Sequence, residues 1–196
     1  MNRTAHPAAR GFSLVEVLVA LIIVSVGLLG IAKMQALMLS NTGIARLRAL
    51  VALEVSSLAD SMHADHDYWY TVVSGFASPL QITINPAAAT AVTVSGDSNL
   101  ASSVATAIGN TTLCETGSAA VPCTATNMAG YDLAQWEQAM YNVVPNATTT
   151  ISCATTSNVV TCTLTVNWTE NTVNANTQEQ GNTAFQNQSY QLVVEP

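Results

Sequence analysis

The chain has 196 residues, of which 49% are hydrophobic and only 9% charged, a balance that excludes a disordered chain. The formal net charge is −7, and the five basic residues, Arg3, Arg10, Lys33, Arg46 and Arg48, all precede residue 49, whereas every acid except Glu16 follows it. The remaining three-quarters has no cation to neutralise phosphates, which excludes nucleic acid as its partner.

Residues 1–10 are polar and carry two arginines. An apolar run from Phe12 to Ala32 follows, broken by one acid, Glu16, and ended by Lys33. As a helix this run spans about 31 Å, the thickness of a bilayer core. The arginines before it keep the start cytoplasmic, so everything after Lys33 is expected outside the inner membrane. A secretory signal cut near Gly30-Ile31-Ala32 and a plain membrane anchor both fit the run. Neither accounts for Glu16, because an acid in an inserted helix costs about 2.5–3.5 kcal/mol near its centre.

Helical periodicity continues beyond the membrane. Met34, Leu37, Met38, Ile44, Leu47, Val51, Val55, Leu58 and Met62 recur at three- and four-residue steps. No proline interrupts residues 12–63, and one continuous helix is expected there. Gly27, Gly30 and Gly43 weaken it by about 1 kcal/mol each relative to alanine.

In the rest of the chain, Gln81–Ile84 and Ala91–Val94 read as short strands around Pro86. Asp97 is expected to cap a helix running to Ile108, with Gly109 ending it. Asp132 is expected to cap a second helix, whose Leu133, Trp136, Met140 and Val143 share a face before Pro145. Thr149-Ile151-Cys153 and Cys162-Leu164-Val166-Trp168 alternate with polar residues as strands do. A last strand is expected over Ser189–Glu195. These elements make an antiparallel sheet packed on the long helix, an α+β fold.

Four cysteines, Cys114, Cys123, Cys153 and Cys162, occur as two C-x8-C pairs with no histidine near them. Disulfides in an oxidising compartment are favoured over a zinc site, and four cysteines allow three connectivities. Folding the hairpin about Thr156 to Val159 sets Cys153 opposite Cys162 and Ile151 opposite Leu164. All four then share one face, which a one-residue slip would destroy. Cys114 and Cys123 are left to close a small loop ahead of the Trp136 helix.

Little else points to chemistry. His63 and His66 lie one helical turn apart, beside Asp65 and Asp67, and are read as a solvated helix end rather than a metal site. Asp132 and Glu137 are read as a cap and a surface residue. Four Asn-x-Ser/Thr matches, at Asn110, Asn146, Asn167 and Asn187, are what chance supplies in a chain this rich in Asn and Thr. There is no Ser-His-Asp set, no G-x-S-x-G and no glycine-rich phosphate loop, so neither an enzyme nor a cofactor is expected.

Gly11-Phe12-Ser13-Leu14-Val15-Glu16 resembles the class III signal of type IV pilins and type II secretion pseudopilins. The resemblance implies that a prepilin peptidase cuts after Gly11 and methylates the new terminus at Phe12. It makes Glu16 the acid that pairs with a neighbouring subunit's terminal amine during assembly. Asp132-Leu133-Ala134-Gln135-Trp136, Val144-Pro145-Asn146 and Val166-Asn167-Trp168-Thr169-Glu170 resemble PilV-type minor pilins. The implied architecture is a pilin-like lollipop: leader 1–11, helix 12–63 (12–32 transmembrane, 33–63 amphipathic) and a periplasmic or extracellular head, 64–196. The implied function is that of a minor pilin that primes or caps a type IV pilus. Other minor pilins and the major pilin would be its partners through the helix, first at the inner membrane and then on the cell surface. A minor pseudopilin of type II secretion is an alternative. So is an adhesin head on a pilin stalk, with Tyr68, Trp69 and Tyr70 as exposed aromatics.

Overall fold

The computed structural model describes residues 13–85, 92–109, 114, 123–156, 159–171 and 185–196. The elements in chain order are α1 (Leu14–Ala64), β1 (Leu80–Ile84), β2 (Val92–Ser95), α2 (Ser98–Gly109), α3 (Ala125–Val143), β3 (Thr148–Thr156), β4 (Val159–Asn171) and β5 (Phe185–Val194). A π-helical turn, Asp67–Val72, and a 3-10 turn, Val73–Gly75, follow α1. The chain divides between Thr42 and Gly43 into two compact units.

The first unit contains the Leu14–Thr42 part of α1, whose side chains are almost all exposed. The helix holds there because its backbone bonds are internal and no proline interrupts them. Two of its hydroxyls are satisfied by its own carbonyls: Ser25 Oγ donates to Ile22 O at 2.8 Å, and Thr42 Oγ1 to Met38 O at 2.8 Å.

The second unit begins with the rest of α1. Val51, Val55, Leu58 and Met62 are all but fully buried and belong to one core with Ile82, Ile151 and Leu164 of the sheet. Each such side chain contributes up to about 1.5–3 kcal/mol by burial. The five strands are antiparallel in the order β2-β1-β3-β4-β5. Period-two alternation gives the sheet its two faces. Leu80, Ile82 and Ile84 turn inward while Gln81 and Thr83 do not. Ile151, Cys153, Cys162, Leu164 and Val166 line the same inner face. The β3–β4 register sets Cys153 opposite Cys162 and Ile151 opposite Leu164. β5 starts four residues earlier than the sequence pattern indicates, because Phe185–Gln188 pair with Trp168–Asn171 although their own pattern barely alternates.

Between β2 and α2 the chain turns at Gly96, with φ +106°. A Cβ there would lie 3.3 Å from both Leu80 Cα and Pro79 O, so glycine is required on two counts. Asp97 then caps α2: its Oδ1 accepts from Asn99 N at 2.8 Å and Leu100 N at 3.2 Å.

Asp132 does not cap α3. The helix starts two turns earlier at Ala125, where Thr124 Oγ1 accepts from Asn127 N at 3.2 Å. Packing against α2 makes this early start favourable. Ala129 and Gly130 are buried, and Ser103 of α2 hydrogen-bonds Asn127. Glu137 is not a surface residue either: it is 9% exposed, and burial raises its carboxyl above the usual carboxylate range.

Candidate functional site

The segment expected to serve assembly is described from the first turn of α1 onward. Gly11, Phe12 and the rest of the leader lie outside the described residues, as does Asn110. Ser13 opens the helix, its carbonyl accepting from Glu16 N at 3.0 Å and Val17 N at 3.3 Å. Glu16 therefore sits in the first helical turn, exposed, where the helix dipole favours an anion. Among the described residues its carboxylate has no hydrogen-bond or ion-pair partner. From Leu14 to Ile31 the large apolar side chains are between 48% and 81% exposed. An 18-residue window of the helix has a mean hydropathy of 2.8 and none of it is buried, so by length and composition the helix is able to cross a membrane. A Cβ built on Gly27 or Gly30 meets nothing within 4 Å, so nothing among the described residues requires those glycines.

The second unit holds its residues by polar ties as well as by its core. Glu170 of β4 is 2% exposed. Its carboxylate accepts from Arg48 Nη2 at 2.7 Å, from Arg48 Nε at 3.0 and 3.2 Å, and from Trp168 Nε1 at 2.9 Å. The Arg48 hydrogen bonds hold this carboxyl below its usual range, with a further lowering from Trp168. Trp136 Nε1 of α3 donates to Glu54 O of α1 at 2.7 Å. Tyr68 donates its hydroxyl to Asp97 Oδ2 at 2.9 Å, and burial raises its phenol.

The aromatic trio does not form an exposed adhesive patch. Tyr68 is 0% and Trp69 1% exposed, packed edge to face at 5.2 Å, and Tyr70 is half-buried. They turn inward because the π-helical turn departs from the α-helical spacing that the preceding helix leads one to expect. His66 stacks on Tyr70 at 4.8 Å, and among the described residues no group of three or more His, Cys, Asp or Glu is arranged to hold a metal. Asp65 is the unusual carboxylate of this region. Its Oδ2 is buried without a hydrogen-bond partner among the described residues. Burial, and then the charges of Asp132 and Asp67, raise its carboxyl to about 7. Burial likewise raises Asp132. Sequence reasoning passed over Asp65, because an acid just past a helix end looks solvated and only the packing of α3 beside it shows otherwise.

Both cysteine pairs are disulfides, Cys114–Cys123 and Cys153–Cys162. The second pair is fully buried between β3 and β4, whereas Cys123 is exposed just before α3.

Comparison with known proteins finds one family model, the prokaryotic N-terminal methylation motif, which matches residues 7–32. No curated protein and no solved structure matches the chain. The matched stretch holds Gly11, Phe12, Glu16 and the exposed apolar part of α1. A long helix, apolar at its N-terminal end and packed at its C-terminal end against a five-stranded antiparallel sheet, is a pilin-like α+β fold. An exposed apolar helix within this motif is what a type IV pilin-like protein carries at its N-terminus, and the motif is of the kind that a prepilin peptidase processes. The chain's N-terminal methylation motif, the class III signal, indicates the type IV pilin and pseudopilin family.

Proposed function

We propose that the chain is a minor pilin of a type IV pilus, a structural subunit that helps prime or cap the filament. The observation that carries this is Glu16, whose carboxylate has no partner among the described residues, in the first turn of an exposed apolar helix inside a methylation motif. Cleavage after Gly11 would remove residues 1–11 and leave a cationic amine at Phe12, which the peptidase methylates. Residues 12–32 would span the inner membrane, 33–63 would extend the helix, and 64–196 would form the head outside it. In a low-dielectric bundle of such helices an unpaired carboxylate is strongly penalised, so Glu16 of one subunit would pair with the terminal amine of a neighbour. Gly27 and Gly30, where an added Cβ meets nothing among the described residues, suit close approach of neighbouring helices. Other minor pilins and the major pilin are the partners this implies. The Asp132–Trp136 and Val166–Glu170 segments, similar to those of PilV-type minor pilins, favour the pilus over secretion.

Three measurements test the proposal. Mass spectrometry of the amino-terminal peptide should find a methylated Phe12, and a mature start at Met1 or Lys33 refutes it. Glu16→Val should leave the protein inserted and cleaved, since Gly11 and Phe12 remain, yet reduce its incorporation into sheared filaments. Breaking one side of a buried pair costs about 3–5 kcal/mol, more than a hundredfold in an assembly equilibrium. Normal incorporation of the variant would remove the role given to Glu16. Intact piliation with lost protein secretion in a deletion strain would assign the chain to type II secretion instead.

A further inference from the structure

The ends of β4 and β5 and the turn after α3 enclose an open cleft of about 380 Å³. Its lining comprises Asn146 in the turn, Asn167 and Thr169 on β4, and Asn187 and Ser189 on β5, with Trp168 and Gln188 contributing to the wall. The strand period explains the arrangement. In an Asn-x-Ser/Thr triplet on a strand, the amide and the hydroxyl point to the same face. The register sets Asn167 opposite Ser189 and Thr169 opposite Asn187, so two triplets form a two-by-two block of alternating amides and hydroxyls. All four of these side chains are exposed, as is Asn146. Three of the sequence's four Asn-x-Ser/Thr triplets thus meet at one place.

Among the described residues the lining has no charged one, although the chain carries −7 overall. Each asparagine offers a donor pair and an acceptor at fixed spacing, and each hydroxyl offers both. Such a surface matches a ligand that is itself an uncharged array of donors and acceptors. An anion would find no cation there, and an extended apolar ligand would leave the amides unpaired. On the opposite, inner face of β4 the Trp168 indole N–H is fixed on Glu170, which Arg48 clamps in turn, so the strand that carries Asn167 and Thr169 is itself held in place.

We propose that this cleft binds a neutral oligosaccharide, the amides and hydroxyls of Asn167, Thr169, Asn187 and Ser189 pairing with sugar hydroxyls. The site is independent of Tyr68, Trp69 and Tyr70, which lie elsewhere and of which the first two are buried, and it does not rest on the pilus assignment. Saturation-transfer NMR on the full mature chain in a sugar-free detergent tests it. The probes are cello-, malto- and chito-hexaose at millimolar concentration, with a sialylated and a sulfated oligosaccharide as anionic counterparts. The expected result is transfer to at least one neutral probe and to neither anionic one. Asn167→Ala and Asn187→Ala should each weaken the signal about tenfold while leaving the unfolding midpoint unchanged, since both side chains are exposed. Transfer to no neutral probe, transfer to the anionic ones alone, or unaltered binding by both variants would overturn the proposal.

Discussion

Asp97 joins two parts of the head with one carboxylate, and its removal should cost more than a helix cap. Oδ1 accepts from the backbone of Asn99 and Leu100, and Oδ2 accepts from the Tyr68 hydroxyl. Asp97→Ala removes the cap, worth about 1 kcal/mol, and leaves a phenol hydroxyl buried without an acceptor, worth about 1–3 kcal/mol. The sum, about 2–4 kcal/mol, shifts the unfolding equilibrium roughly thirtyfold to several hundredfold. Tyr68→Phe alone should cost about 1–2 kcal/mol, since Asp97 keeps its two backbone donors. The double variant removes the unsatisfied hydroxyl as well, so its cost should fall short of the summed single costs by about 1 kcal/mol or more. Urea unfolding of the detergent-solubilised chain, followed by tryptophan fluorescence, measures all three. Additive costs would show that the Tyr68–Asp97 hydrogen bond contributes nothing, and an Asp97→Ala cost below about 1 kcal/mol would refute the capping role as well.

Asp65 should make stability fall as pH rises. Its folded value is raised to about 7, so its contribution is present below the ordinary carboxylate range and is lost as pH climbs through about 7. Asp65→Asn should remove that loss, gaining on the order of 1–2 kcal/mol at pH 8 after allowance for screening by water, and pH-dependent urea midpoints check it. Gly130→Ala would set a Cβ 2.6 Å from Ser103 Cβ and 2.9 Å from Ser103 C, against backbone that cannot yield cheaply. A loss of about 1–3 kcal/mol in the same assay is expected, and an unchanged midpoint would mean that α2 and α3 move apart freely. Mild reductant should open Cys114–Cys123 before Cys153–Cys162, because Cys123 is exposed and the second pair fully buried. Timed alkylation with peptide mapping reads the order, and the reverse order would contradict the burial of the hairpin pair. Loss of either short loop's bond should cost about 2–4 kcal/mol.

The elements legible in the sequence are those set by local rules. The proline-free apolar run gives α1, the Asp97–Gly109 punctuation gives α2, and the alternation around Cys153 and Cys162 gives a hairpin register found residue for residue. What escaped depends on distant packing. Asp132 resembles a cap because Thr126, Asn127 and Gly130 just before it are poor helix formers. The close crossing of α2 outweighs that propensity, and only the fold reveals the crossing. Glu137 and Asp65 are buried by neighbours far along the chain, which no window of sequence contains. The amide cleft is half legible: each Asn-x-Ser/Thr triplet is visible alone, but their meeting needs the β4–β5 register.

The strand order leaves one long-range seam in the sheet. The pairs β1–β2, β3–β4 and β4–β5 each join strands that follow one another, whereas β1–β3 reaches across both α2 and α3. Gln81 and Ser152 meet there, 71 positions apart, against nine for Cys153 and Cys162. Closing the longer loop costs about 2 kcal/mol more in chain entropy. Hairpins of low contact order are therefore favoured to form first, and the joining of the β1–β2 pair to the β3–β5 block is the natural rate-limiting event in folding the head.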